Sequence, residues 1–262
     1  MTITVDPNWW QTLFDEVYLI TDARTVGDTE ITRYETDIYC RLLSLQSGAR
    51  ILDLCGGQGR HTLEFCRRGF TRCTVVDYSR PLLAIGREAA RRERLSANFI
   101  QADARRLPLN TASLDYGLIL GNSLGYMGDQ ANDRKVLAEC RRVLASGGRL
   151  LLDVADGDVI RARIAPNAWH EIDGDVVVCR EREIRDECVC AREMVLSKKE
   201  GLIRDMNYRI RLYGRDALVA LVRRAGFVGA QVHDRGTVET ETGAGEDVGC
   251  MRHRLLLTAR RP

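Results

Sequence analysis

The chain has 262 residues, 45% of them hydrophobic and 29% charged, with a formal net charge of +2. This is the balance of a soluble globular protein with a sizeable core, and it lacks the net basic domain or concentrated basic stripe of a dedicated nucleic-acid binder. The N-terminus, with Asp6 and Pro7, does not read as a signal peptide, and no apolar run approaches the length of a membrane span.

Trp9, Trp10, Leu13, Phe14 and Val17 recur at helical spacing and predict a first amphipathic helix; a second runs from about Asp28 to Leu45. Gly48-Ala49 interrupts, and Arg50-Ile-Leu-Asp-Leu-Cys55 reads as a buried strand that enters the turn Gly56-Gly57-Gln58-Gly59. His61–Arg68 reads as a helix, Cys73–Asp77 as a second strand, and Arg80–Arg94 as the next helix. Asn98–Gln101 and Leu114–Leu120 are the third and fourth strands. Asp133–Leu144 is a helix, and Arg149–Val154 a fifth strand. Alternating strands and helices predict a parallel sheet covered on both faces. From about residue 170 the rhythm changes to a three-stranded antiparallel meander, Asp175–Glu183, Cys188–Leu196 and Ile203–Tyr213. The α/β pattern returns with a helix over Arg215–Ala225 and strands near Val228–His233 and Arg252–Ala259. The reading is therefore one α/β domain. Residues 1–47 form an N-terminal helical cap, 48–156 a cofactor-binding core, 170–213 an inserted antiparallel unit, and 214–262 the completion of the sheet.

The nine cysteines are odd in number, irregularly spaced and mostly set in apolar segments, which points to free thiols in a reducing cytoplasm. Only Cys188-x-Cys190 and Cys250-x-x-His253 approach metal-ligand spacing, so no metal is expected.

Three features in order carry the chemistry: the strand–glycine turn–helix at 51–65, Asp77 ending the next strand, and Asp103 just after the third. In a doubly wound sheet a nucleotide-like ligand lies across the C-terminal strand ends. The glycine turn admits close backbone approach, and a carboxylate at the end of the second strand can accept both ribose hydroxyls. Asp103 and Ala104 can read an adenine edge. Dinucleotide binding is the rival, but Gly57-x-Gly59 is followed by Thr62 where the fingerprint needs Gly or Ala.

Ile-Leu-Asp-Leu-Cys-Gly-Gly-Gln-Gly-Arg-His resembles the first motif of class I S-adenosylmethionine-dependent methyltransferases, with Cys55 in place of the first glycine. Val75–Ser79, Gln101–Arg105, Gly121–Tyr126 and Glu139–Leu152 resemble the later motifs, in the same order. Arg211-Leu-Tyr-Gly and Ala-Gly-Phe227 resemble the late helix entry of the small-molecule branch. The resemblance implies a doubly wound, mostly parallel seven-stranded Rossmann-like sheet, S-adenosyl-L-methionine as cofactor and S-adenosyl-L-homocysteine as product. It implies that Asp53, Gly57 and Gly59 surround the methionine part, Asp77 binds the ribose, and Tyr78 packs on the adenine. Asp103 and Ala104 would hold the adenine, and Gly121 and Asn122 would border the methionine amine and the methyl group.

Asp77 could alternatively cap the following helix. Tyr18 and Arg33 are candidates to reach the cofactor carboxylate, with Arg33 equally readable as a solvated helix residue. Tyr126, Arg211 and Tyr213 are candidates to face a substrate; His170, with Tyr126 and Tyr213, is a candidate catalytic group. Methyl transfer requires placement of the nucleophile, and a base only if that nucleophile is protonated. The expected acceptor is a small molecule. An RNA or protein methyltransferase, a silent cofactor-binding module and a dinucleotide-dependent oxidoreductase are the alternatives. The exposed meander offers an edge through which two copies could pair as a homodimer.

Overall fold

A computed structural model describes residues 2–22, 26–234, 250 and 253–262. Seven strands form one sheet: β1 (Ile51–Leu54), β2 (Cys73–Asp77), β3 (Ala97–Gln101), β4 (Leu114–Ile119), β5 (Leu144–Ala155), β10 (Val228–Asp234) and β11 (Arg254–Arg260), in the order β10-β11-β5-β4-β1-β2-β3. β11 runs antiparallel to both β5 and β10; the other pairings are parallel. Adjacent apolar residues of each central strand serve opposite faces. Ile51, Leu118, Leu151 and Leu256 pack with Tyr39 and Phe65 on one side; Leu52, Ile119, Leu152 and Leu257 pack with Leu137 and Leu221 on the other. This two-sided burial explains why the strands read as continuous apolar runs.

The covering helices are α2 (Thr29–Leu43), α3 (Arg60–Arg67), α4 (Arg80–Glu93), α5 (Gln130–Val143) and α7 (Arg215–Arg224). Their starts follow local chemistry: the side chains of Asp28, Ser79 and Asp129 accept the backbone N–H three residues on, satisfying donors the helix leaves open. Arg252, in the expected final strand, lies outside the described residues.

Between β5 and α7 the chain makes α6 (Gly157–Arg163) and a separate antiparallel sheet of four strands, β6 (Asn167–Ile172), β7 (Val176–Arg185), β8 (Cys188–Ser197) and β9 (Gly201–Arg211). The β7–β8 turn places both Asp186 and Glu187 at positive φ, the geometry whose twist matches a two-residue hairpin. β6 is a strand that the pattern did not announce. Asn167-Ala-Trp-His-Glu-Ile has little alternation of its own, and pairing with β7 decides its conformation. The N-terminal helix is also revised. Trp9–Gln11 is a single 3-10 turn, and α1 spans only Glu16–Thr21, started by Asp15. The helical spacing of Trp9, Trp10 and Leu13 reflects a shared apolar cluster with Tyr126 and Tyr208.

Helix α4 packs directly on the turn after β1 because Gly86 has no side chain: a Cβ there would lie 2.4 Å from the Gln58 carbonyl oxygen and 2.5 Å from the Phe99 ring. Gly86→Ala should therefore cost about 1–3 kcal/mol in chemical denaturation, the range for overpacking, with an unchanged m-value. An unaltered midpoint would show that α4 can move away freely.

Candidate active site

The penultimate residue of β1 is Asp53, which is 1% exposed. Its carboxylate accepts the Thr62 hydroxyl at 2.9 Å, and burial raises its pKa against the opposing influence of His61 and that hydrogen bond. The carboxyl group occupies the space where a Cβ on Gly56 would be, 2.6 Å away. Cys55 and Gly57 follow with positive φ, and Gly57 donates its N–H to Asp77 Oδ2 at 2.8 Å. Asp77 sits at the tip of β2 and also accepts the Ser79 N–H at 2.7 Å; burial raises its pKa, and these two backbone donors oppose the rise. Asp77 does not cap α4, a task that falls to Ser79. Backbone N–H groups of Ser79, Gly57 and Tyr78 all act on this carboxylate, and of its about four acceptor positions some remain for a ligand hydroxyl.

These groups line a cavity over the C-terminal ends of β1, β2 and β4, about 960 Å³ with the open solvent at its mouth included. It brings together Asp53, Gly57, Asp77, Tyr78, Ala104, Gly121, Tyr18 and Tyr126, on a wall that includes Cys55, Leu82, Ala102 and Met127. The N-terminal turn covers it: Trp10 meets Tyr78 edge-to-face at 4.9 Å, and the Arg105 guanidinium lies 5.3 Å from the Trp10 ring. Tyr78 remains 37% exposed.

Several candidates stand elsewhere. Gly59 begins α3, and a Cβ there would press on Phe99 and Val75, so its lack of a side chain serves helix–sheet packing. That close approach is made by Gly59 and Gly86, while Thr62 is occupied with Asp53. The Asp103 carboxylate is gripped by Arg105 through Nε at 3.0 Å and Nη2 at 2.6 Å; burial would raise its pKa, but that pairing holds it below the usual value. Its neighbours Ala102 and Ala104 line the cavity and Asp103 does not. Arg33 is on the surface, paired with Glu30. In its place Arg60 lines the cavity beside His61, held by Glu35 at 2.6 Å and the Thr32 hydroxyl at 2.9 Å. Arg60 has no spacing signal of its own in the chain, because it directly follows the glycines of the turn.

A second cavity, about 720 Å³ with the open solvent at its mouth included, lies between the turn after β4 and the inserted sheet. The two cavities share Phe14, Tyr18, Gly121 and Tyr126. Asn122 lines only the second; its side chain accepts the Ala155 N–H at 2.9 Å and ties this turn to β5. Arg180, Glu193, Arg204, Tyr208 and Asp22 line it as well, and no spacing in the chain announced them. His170, Arg211 and Tyr213 line neither cavity. His170 is buried in β6, where it pairs across the sheet with Val178. The Tyr213 hydroxyl donates to Asp133 Oδ2 at 2.5 Å in the first turn of α5, and Arg211 Nη2 donates to the Gly128 carbonyl in the loop before it.

Residues 51–148 match the family model described as a methyltransferase domain. The chain is 31% identical over 137 residues to the ubiquinone/menaquinone biosynthesis C-methyltransferase UbiE of Ruegeria sp. (strain TM1040), a match covering 51% of this chain and 52% of that protein. A demethylmenaquinone methyltransferase of Thermus thermophilus is 38% identical over 104 residues, 39% of this chain and 46% of its own length. The chain thus matches about half the length of these curated relatives. Among solved structures, the CcbJ methyltransferase of Streptomyces caelestis superposes with a TM-score of 0.74 at 17% identity, covering 98% of this chain and 99% of the other. The SAM-bound CalS10 amino pentose methyltransferase of Micromonospora echinaspora gives 0.65 at 19% identity, covering 96% and 99%.

The buried Glu35 is bonded to both Arg60 and His61, the latter at 2.8 Å. Burial lowers the His61 pKa, so the ring is neutral and donates Nε2–H to the carboxylate. Removing the acid leaves a mostly buried guanidinium without its counter-charge. Glu35→Ala should lower unfolding free energy by about 3 kcal/mol, read by urea titration. A loss under about 1 kcal/mol would mean that Arg60 finds water as readily as Glu35.

Proposed function

We infer that the chain is a class I S-adenosylmethionine-dependent methyltransferase, as the methyltransferase-domain match over residues 51–148 and the fold support, and that it transfers a methyl group from S-adenosyl-L-methionine to a small-molecule acceptor, releasing S-adenosyl-L-homocysteine. The observation that supports this most is the pair of cavities meeting at Gly121 and Tyr126, one floored by the glycine turn and Asp77, the other covered by the inserted sheet. The residues present fit the cofactor. Asp77 keeps acceptor capacity for a ribose hydroxyl, Tyr78 and Leu82 offer apolar surface to the adenine, and the Ala104 backbone offers its edge a polar contact. Asp53, Gly56 and Gly57 border the methionine part, and Arg60 supplies a cation for its carboxylate.

When bound, the cofactor supplies a methyl group already activated on a sulfonium, so the protein's work is orientation and exclusion of water. Trp10 and Phe14 close the cavity from the N-terminal side, and Tyr18 and Tyr126 stand where the two cavities join. The near-neutral charge and a concave second cavity beneath the inserted sheet favour a small acceptor over RNA or a protein surface.

Calorimetric titration with S-adenosylhomocysteine should give saturable binding, weakened roughly tenfold or more by Asp77→Ala and by Arg60→Met. NAD(H) and NADP(H) should not bind. Absence of S-adenosylhomocysteine binding would overturn the reading. Asp77 must be ionised to accept a ribose hydroxyl alongside its backbone donors, and its folded pKa is raised by burial. Affinity should therefore be full at neutral pH and fall on acidification, starting above the ordinary aspartate value of about 3.9. An affinity flat through that range would remove Asp77 from the site.

A further inference from the structure

The second cavity contains polar groups of a consistent kind. Tyr18, Tyr126 and Tyr208 line it, and none of their hydroxyls has a hydrogen-bond partner among the described residues. The rings around them are packed together: Phe14 stacks on Tyr126 at 5.5 Å, and Trp9 lies 5.4 Å from Tyr126 and 5.7 Å from Tyr208. Along the inserted sheet, Arg180 and Glu193 are cross-strand neighbours, joined Nε to Oε2 at 2.8 Å; Arg204 Nη2 takes the other carboxylate oxygen at 2.9 Å. One buried carboxylate thus serves two guanidiniums, and Arg182 and Asp22 complete the charged lining among the described residues.

We propose that this cavity takes a hydroxyaromatic acceptor, a planar phenol-type ring bound as its oxyanion, and that the three tyrosine hydroxyls donate to that anion. The proposal rests on the methyltransferase reading above and names the acceptor class for the same site. Aromatic walls favour a flat ring, which buries its faces against Phe14, Trp9 and Tyr126. Hydroxyls that line a cavity without a protein partner are open to a ligand, and an oxyanion accepts all three as charge-assisted bonds. Burial holds the phenols of Tyr18, Tyr126 and Tyr208 well above their usual pKa, so they are donors throughout the working range. The arginines add positive potential, which lowers the pKa of an acidic hydroxyl; an ammonium group would meet the opposite effect.

Tyr18 and Tyr126 also line the cofactor cavity, so the oxyanion is held at the junction. The acceptor's O–H proton passes to the Asp22 carboxylate, which lines the same cavity and lies 3.6 Å from Arg180 Nη2. The oxygen lone pair then forms the O–CH3 bond as the methyl–sulfur bond breaks, and that bond's electrons remain on sulfur as the neutral thioether.

The test uses the full chain saturated with S-adenosylhomocysteine and titrated with 4-nitrophenol, in a buffer below the probe's own pKa. The phenolate absorption band should grow as the probe binds. Tyr208→Phe, which touches only the second cavity, should weaken probe binding roughly tenfold and reduce the phenolate fraction, with S-adenosylhomocysteine affinity unchanged. Benzylamine should not bind. Intact S-adenosylhomocysteine binding with no probe binding, with the probe bound as neutral phenol, or with saturable benzylamine binding would overturn the acceptor class and leave the methyltransferase reading standing. Loss of S-adenosylhomocysteine binding in the parent protein would instead overturn that reading.

Discussion

The site depends on the turn after β1 being held between two carboxylates. Asp53 fills the space beneath Gly56, and Asp77 takes the N–H of Gly57 from the side. Neither contact tolerates a side chain at Gly56, because a Cβ would overlap the Asp53 carboxyl group. The two acids are brought to the turn by strand pairing: β1 and β2 run in register from Ile51–Cys73 to Leu54–Val76, and the Cys55 N–H extends the ladder to the Val76 carbonyl at 2.7 Å. Gly59 and Gly86 then let α3 and α4 close on the same turn. Everything proposed for the cofactor follows from this clamp, since it sets where Asp77 points its remaining acceptor capacity.

A second layer of buried charge attaches the surrounding elements to the sheet. Asp153 of β5 accepts the Tyr39 hydroxyl from α2 and pairs with Arg254 of β11 at 2.7 Å, and all three are almost fully buried. Glu35, from the same helix, holds Arg60 and His61 at the start of α3. Such pairs add little net stability over apolar packing, but breaking one strands a charge. Their consequence is positional. They fix α2 against the strand ends and place Arg60 on the cavity wall.

The N-terminal turn and the inserted sheet act together as the cover. Arg204 of β9 donates to the Leu13 carbonyl at 3.0 Å and pairs with Asp15 at 2.9 Å, so the cap of α1 is bonded to the insert. Trp9 packs against Tyr126 and Tyr208, and Trp10 against Tyr78. The two tryptophans are neighbours in the chain and serve different cavities.

The strand–turn–helix of the first motif, the acid at the end of the second strand and the seven-stranded sheet were legible in the chain, because each is encoded within a few residues: apolar runs, glycines where φ is positive, and a carboxylate at a strand tip. Local pattern misled where distant partners decide. Trp9, Trp10 and Leu13 have helical spacing but form a 3-10 turn, because their cluster is assembled with Tyr126 and Tyr208. Asn167–Ile172 has no strand pattern and is a strand, because β7 pairs with it. His170, Arg211 and Tyr213 carry plausible chemistry, and the fold sends them away from both cavities, the last two to brace the start of α5 and the loop before it. The second cavity was invisible in advance. Its Arg180, Glu193 and Arg204 lie on three strands and resemble any solvated charge until cross-strand register turns them to one buried face. The sequence by itself determined the sheet and the cofactor turn, since these rest on short-range patterns; only the tertiary structure decided the cover and the acceptor side, since those rest on contacts between segments nearly two hundred residues apart.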